Sequence, residues 1–411
     1  MASVPLFLIT VAAIFLIGAL GEVVFRRTQV PDVIWLLVAG IVLGPVSGVV
    51  SPDQLRQIAP YFGALTLVVV LFDGGSQLDL RQIARTAPRS SVLALVTFTA
   101  TVGAVAAASM GARALGWFPA EWSWLHGAML GCIIGGSSSI IIMPAMGLAK
   151  VREDIASLIN LESAFTDAFC VVGATALIQL LLPDTGTAAT PGVALAKSFG
   201  LGASLGTAAG FGWIIVLRAL HSSEHGYPVT LSALLILYVG IDSVGGSAAL
   251  GILAFAIVVG SAEHFRGVLR LDADFRLSDD VRGFHRQVTF IVKSFFFTFV
   301  GAMIAPPWSM VVLGVAFGLL LFVVRMPAVR LALLGGTFDE AAVRLTTVAM
   351  PRGLAAGVLA SMPMAAGVPG TDHLPVLVFA TVTTSIVIFS VGLPLVRRAP
   401  AAPGLTPDPA V

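Results

Sequence analysis

Apolar and polar stretches alternate along the chain so as to leave thirteen apolar runs, residues 4–25, 32–50, 60–78, 90–112, 122–149, 154–182, 192–217, 227–243, 246–262, 287–305, 308–324, 345–365 and 374–396. Runs of this length suit helices crossing a hydrocarbon layer roughly 30 Å thick, and none alternates with the period of two that barrel strands show. The pattern predicts an all-α polytopic membrane protein with about thirteen transmembrane helices. Two runs carry helix breakers near their middles: Gly135-Gly136-Ser137-Ser138-Ser139 ahead of Pro144 in the fifth, and Met350-Pro351-Arg352-Gly353 in the twelfth. Breaks free backbone N–H and C=O groups, which a membrane tolerates only where they are otherwise satisfied or line a cavity. If runs one to six form one unit and runs eight to thirteen another, each break lies one run before the end of its unit. Corresponding breaks of this kind predict inverted repeats around a site near the midplane. Close packing at small residues is the plainer alternative for the same glycines, serines and prolines.

Composition agrees, with 57% hydrophobic residues, 11% charged residues and a mean hydropathy of +0.98. The formal charge of +1 is uninformative, because the charges are sorted by side. Connections after odd-numbered runs, with the tail, hold 18 Lys and Arg, whereas the even-numbered ones hold only Arg56, Arg113 and Lys197. Basic excess marks the cytoplasmic side, so the N-terminus is expected outside and the C-terminus inside, in a cell (inner) membrane. The first run lacks a basic leader and reads as an uncleaved span. Residues 263–286 alternate acids and bases as an exposed amphipathic linker would, and the Pro-rich tail, residues 397–411, is expected to be a disordered cytoplasmic extension. Cys132 and Cys170 lie in apolar runs and read as small packing residues rather than a disulfide.

Two basic residues, Lys293 and Arg352, remain inside runs, and they match two acids in the sixth run, Glu162 and Asp167. Intramembrane charges are costly and usually pair or face a watery cavity, so these four are expected to converge. A buried network that only fixes helix packing would use the same residues. Ser163 and Asp167 share one helical face, Glu162 and Thr166 the next, so one face can hold an ion while the other holds a salt bridge. Burial favours the neutral carboxyl at Asp167 and a neighbouring Lys293 would favour the carboxylate, a balance suited to trading protons. Hard cations take oxygen ligands, available here from Asp167, Ser163, Thr166 and the run Ser137, Ser138 and Ser139. Asp242 is a possible secondary acid near a run end, Asp73 and Asp79 suit helix capping, and His221, His225, His264 and His285 lie in or near connections, where they could sense pH or simply be solvated. No nucleophile, base and metal set appears at useful spacing, so no enzyme and no cofactor are expected. Nothing points to nucleic acid; membrane lipid is the expected surroundings.

Glu162-Ser163 followed by Thr166-Asp167 resembles the Glu-Ser-x-x-Asn-Asp motif of NhaP-type sodium/proton antiporters, in the cation/proton antiporter superfamily. The resemblance extends, in order, to Leu71-Phe72-Asp73-Gly74-Gly75 with Leu78-Asp79-Leu80, Phe296-Phe297 before Val300-Gly301, and Pro351-Arg352-Gly353-Leu354 with Leu359-Ala360. It implies a fold with crossed discontinuous helices five and twelve, exchange of a monovalent cation (Na+ first, K+ next) for H+ at Asp167, Ser163 as a neighbouring ligand, and Glu162 paired with Arg352. It also implies a homodimer, with core helices in about 90–182 and 308–396 moving against scaffold helices in about 4–78 and 192–305. Three departures mix branches: Ser137-Ser138-Ser139 stands where NhaP proteins carry Thr-Asp-Pro and is closer to Kef-type potassium/proton antiporters; Thr166 replaces the usual Asn; and Lys293 resembles a lysine of electrogenic members. Cation choice and proton count therefore stay open. A sodium-coupled symporter of an organic anion, or a non-transporting ion sensor, are the other classes weighed.

Overall fold

The computed structural model describes residues 4–28, 31–49, 52–76, 80–182, 191–219, 226–262, 279–304, 306–335 and 338–398, and all its regular elements are helical. They are α1 (Val4–Thr28), α2 (Asp32–Ile41, running into a π-turn at Val42–Val46), α3 (Pro52–Ser76), α4 (Leu80–Ala114), α5 (Trp124–Ile133), α6 (Ser139–Leu148), α7 (Glu153–Leu181) and α8 (Pro191–Ala219). There follow α9 (Gly226–Ser243), α10 (Ala248–Gly260), α11 (Asp279–Ala302), α12 (Trp308–Ala332), α13 (Glu340–Val348), α14 (Leu354–Leu359), α15 (Met362–Ala365) and α16 (Leu374–Arg398). Each expected apolar run overlaps one helix or one interrupted series. Among the described residues six helices, α1, α4, α7, α8, α12 and α16, are long and apolar enough by themselves to cross a membrane. The fifth run is α5 and α6, ten residues each, so the halves together span about 30 Å at 1.5 Å per residue.

Without a hydrophobic force between helices in lipid, close approach through small residues and backbone contact holds such a bundle together. The chain uses this repeatedly. Gly202, Gly206 and Gly210 of α8 face α10, where a Cβ at Gly206 would overlap the Gly251 carbonyl and one at Gly210 would stand 2.9 Å from Val258 Cβ. Gly40 of α2 and Gly301 of α11 each press on the other helix's backbone, and Gly75 of α3 lies against Ala256 of α10. In the other half of the bundle, Gly127 and Gly131 seat α5 on α4, and Gly314 and Gly318 seat α12 on α16.

These crossings gather α1, α2, α3, α8, α9, α10 and α11 into one set of neighbours and α4, α5, α7, α12, α13 and α16 into another, with α14 touching both. At the seam, Phe296 of α11 fills the space left by Gly357 of α14 and neighbours Phe62 of α3 at 6.4 Å, while Phe299 meets Phe379 of α16 edge to face at 6.0 Å. Large side chains on outward faces, among them Leu8, Leu16 and Leu20 of α1 and Val312, Leu319 and Val323 of α12, are exposed as lipid-facing residues should be.

Several expectations fall outside the described residues: Asp79, His221, His225 and His264, the linker up to residue 278, and the tail from residue 399. His285 lies in α11, but its side chain is not described. Asp73 sits in the last turn of α3, where a carboxylate cannot cap the start of its own helix.

Candidate functional site

The two breaks meet. Ser138, between α5 and α6, donates its backbone N–H to the Pro351 carbonyl, between α13 and α14, at 2.9 Å. Arg352 reaches across the other way, its Nη1 donating to the Gly135 carbonyl at 2.8 Å. Its own backbone N–H is held by the Ser385 hydroxyl of α16, also at 2.8 Å. Gly353 must be glycine for this crossing, since a Cβ there would overlap the Ser138 side chain.

α7 runs beside the crossing, and its polar residues divide the labour. Ser163 Oγ donates to the Ser137 carbonyl at 2.8 Å and accepts the Ser139 N–H at 2.7 Å. Thr166 Oγ1 accepts the Ser137 N–H at 3.3 Å and donates to the Ser163 carbonyl at 3.1 Å. Both hydroxyls, expected as cation ligands, thus hold the backbone of the break, a duty the lipid environment makes compulsory. Ser137 Oγ is buried without a partner among the described residues, so its oxygen is free to turn to another group.

Asp167 is one turn further along α7 and is partly exposed, in contrast to fully buried Glu162 and Ser163. Asp167 takes part in no hydrogen bond or ion pair among the described residues. A Cβ added at Gly136 would lie 3.2 Å from Asp167 Oδ1 and 2.9 Å from Cys170 Sγ, so the bare edge of Gly136 opens the space beside the carboxylate. Arg352 supplies the nearby positive charge, and its Nε has no partner.

The expected partners of the other charges are corrected by the structure. Glu162 pairs with Arg325 of α12, not with Arg352: Nη1 to Oε1 is 2.6 Å and Nη2 to Oε2 is 2.7 Å. Thr97 of α4 donates to Oε1 at 3.1 Å, and Arg325 Nε donates to the Thr346 carbonyl at 3.1 Å. The pair is essentially sealed, with side chains 3% and 0% exposed. Arg325 looks like a cytoplasmic loop residue because the strongly apolar run stops at residue 324, yet α12 continues through Pro327 to Ala332. The apolar residues Met326, Ala328, Val329 and Leu331 beyond it carried that signal. Moving Arg325 into a helix takes one residue from the basic side of the count and leaves its bias intact.

Lys293 does not reach Asp167. It forms its salt bridge with Asp32 at the start of α2, a partly buried pair with side chains 16% and 12% exposed. Asp32 is the second partner missed, read as the edge of a run rather than as an intramembrane acid. Asp242 is exposed at the end of α9, on a helix whose chief neighbours are α10 and α8 and not either break. Cys132 and Cys170 are buried free thiols.

A break crossed by a second break, an unpaired carboxylate at the crossing and a sealed ion pair behind it make a site that can hold a small cation or a proton. The model of the family described as "Sodium/hydrogen exchanger, transmembrane" matches residues 11–397. The K(+)/H(+) antiporter NhaP of Alkalimonas amylolytica is 25% identical over 386 residues, covering 91% of this chain and 63% of its own length. The Na(+)/H(+) antiporter 1 of Methanocaldococcus jannaschii is 23% identical over 310 residues, covering 70% of this chain and 66% of its own length. The solved structure of the sodium proton antiporter MjNhaP1 from the same organism, at pH 8, superposes with a TM-score of 0.75 at 18% identity, over 96% of this chain and 99% of that one. The chain thus has the NhaP fold, and it spans less than two thirds of the length of both of these curated relatives. With the family model matched along nearly the whole chain, this multi-pass membrane protein belongs to the transmembrane sodium/hydrogen exchanger family.

Proposed function

We propose that this chain exchanges a monovalent cation, Na+ or K+, for H+ by alternating access around Asp167. The observation that carries the reading is the state of that carboxylate: partly exposed, without hydrogen bond or ion pair among the described residues, and set against two crossed helix breaks. Such a group binds either a proton or a cation, and its two loads exclude each other. Obligatory exchange follows when only the loaded forms cross.

The ligand set begins with the Asp167 carboxylate and the unpartnered Ser137 hydroxyl, supplemented by Ser138, Ser139 and remaining lone pairs of Ser163 and Thr166. Oxygen donors of this kind suit Na+ and K+ alike. The relatives support both cations by their names, K(+)/H(+) in Alkalimonas and Na(+)/H(+) in Methanocaldococcus. Arg352 offsets the carboxylate's charge when the site is unloaded, and Lys293 is held elsewhere by Asp32. One carboxylate then carries one cation one way and one proton the other, with no net charge moved.

In this reading spans one to six and spans eight to thirteen are inverted repeats, and the helices at about 90–182 and 308–396 form a core that moves against the scaffold at about 4–78 and 192–305. The chain works as a homodimer in the inner membrane, N-terminus outside. Asp167→Asn is the test: in proteoliposomes it should abolish cation-driven proton movement while the protein still elutes as a folded species. Undiminished exchange by that variant removes the reading.

A further inference from the structure

His126 occupies a position that the ion chemistry does not use. It is the third residue of α5 and is 5% exposed. Its Nδ1 accepts the backbone N–H of Ser123, the residue before the helix, at 3.2 Å, and the Ser123 hydroxyl lies 2.8 Å from the same nitrogen. Only a bare Nδ1 accepts an N–H, so the neutral ring carries its hydrogen on Nε2. That nitrogen is buried against the Pro369 backbone, and Nε1 of Trp122 is buried without a partner among the described residues. The imidazole packs on Trp122 with centroids 5.2 Å apart, and Trp122 stacks on Phe118 at 4.0 Å.

Across from the ring is the loop between α15 and α16. The Pro369 backbone lies against His126, and Gly370 is so close to Pro119 that a Cβ there would stand 2.9 Å from its Cγ. His126 therefore sits where the far ends of both interrupted spans touch. From there α5 runs unbroken to the turn at Gly135, whose carbonyl holds Arg352.

We propose, on the reading that this chain is an antiporter, that His126 is a proton-operated latch: neutral, it fastens the start of α5 to its cap, and protonated, it releases that end and slows exchange. The second proton must go to Nδ1. The Ser123 N–H then loses its acceptor, while the new Nδ1–H can turn to the Ser123 hydroxyl, giving two discrete arrangements of one cap. A positive charge in the first turn also opposes the helix dipole. Glu121 on the same loop is the acid whose charge reaches the ring. The facing loop contributes the exposed Asp372 and His373, and the end of α4 contributes Arg113, which is engaged with the Ala120 carbonyl at 2.7 Å.

His126→Asn tests this, because its Oδ1 can accept the Ser123 N–H but cannot titrate; His126→Gln is the second such variant should the first not fold. In the purified full chain, an imidazolium quenches an adjacent indole, so parent fluorescence should drop on acidification below about pH 6.5 and the variant's should not. In proteoliposomes, exchange of labelled sodium for sodium moves no net proton, and acid should slow it roughly two- to tenfold more in the parent than in the variant, the range set by one hydrogen bond. Superimposable acid profiles of parent and variant overturn the latch. Parent protein that exchanges no cation at all overturns the antiport reading instead, while the fluorescence titration still decides whether His126 takes up a proton.

Discussion

Arg325→Ala isolates the pair that the structure, and not the sequence, assigns. Arg325 gives Glu162 two charge-assisted hydrogen bonds, of 2.6 and 2.7 Å, and ties Thr346 of α13 to α12. Removing it leaves a fully buried carboxylate whose one remaining hydrogen bond among the described residues is from the Thr97 hydroxyl, at 3.1 Å. Stranding one member of a buried pair costs about 3 to 5 kcal/mol. At 1.4 kcal/mol per tenfold, that is roughly two to three and a half powers of ten in the unfolding equilibrium. Arg352→Ala, by contrast, leaves Glu162 paired and removes one hydrogen bond to the Gly135 carbonyl, worth about 1.5 to 3 kcal/mol for a charged donor. Thermal denaturation in detergent, followed by size-exclusion profile, should rank parent above Arg352→Ala and that above Arg325→Ala. The double variant Glu162→Leu/Arg325→Met should recover most of the loss, since an apolar pair of similar volume is often as stable as the ions it replaces. If Arg325→Ala survives heating as well as the parent, or Arg352→Ala is the less stable of the two, the pairing is wrong.

Gly353→Ala should lose most transport, because its methyl meets Ser138, and Gly353→Ala/Ser138→Gly should regain part of it; a double variant no better than the single would locate the damage elsewhere. Lys293→Met should leave exchange free of net current, read as no charge displacement on a solid-supported membrane after a sodium jump in either protein; a parent current that the variant lacks would put Lys293 in the transport cycle. Gly206→Ala should lower thermal stability by about 1 to 3 kcal/mol as the α8 and α10 backbones are pushed apart, and an unchanged melting profile would mean that the crossing is looser than drawn.

Much of the fold is legible in sequence because a membrane leaves few choices. Every backbone group in the hydrocarbon layer must be satisfied within the protein, so each span appears as an apolar run and each break as a Gly, Ser or Pro cluster inside one. Asp167 stood out for the same reason, as an acid where charge is expensive. The sequence also determined that Glu162 needed a base, and it marked the breaks at Gly135 and Pro351 that the structure brings into contact. Which base answered Glu162 was decided only by the tertiary structure. Pairing depends on the depth and rotation at which separate helices cross, and those follow from contacts such as Gly314 and Gly318 on α16 and Gly127 and Gly131 on α4. Arg325 gained its place because α12 extends past its apolar core, and Lys293 was drawn to Asp32 because the close crossing at Gly40 and Gly301 sets α2 beside α11. Among the described residues Asp167 was left unpaired by the same packing, which is what the proposed exchange requires of it.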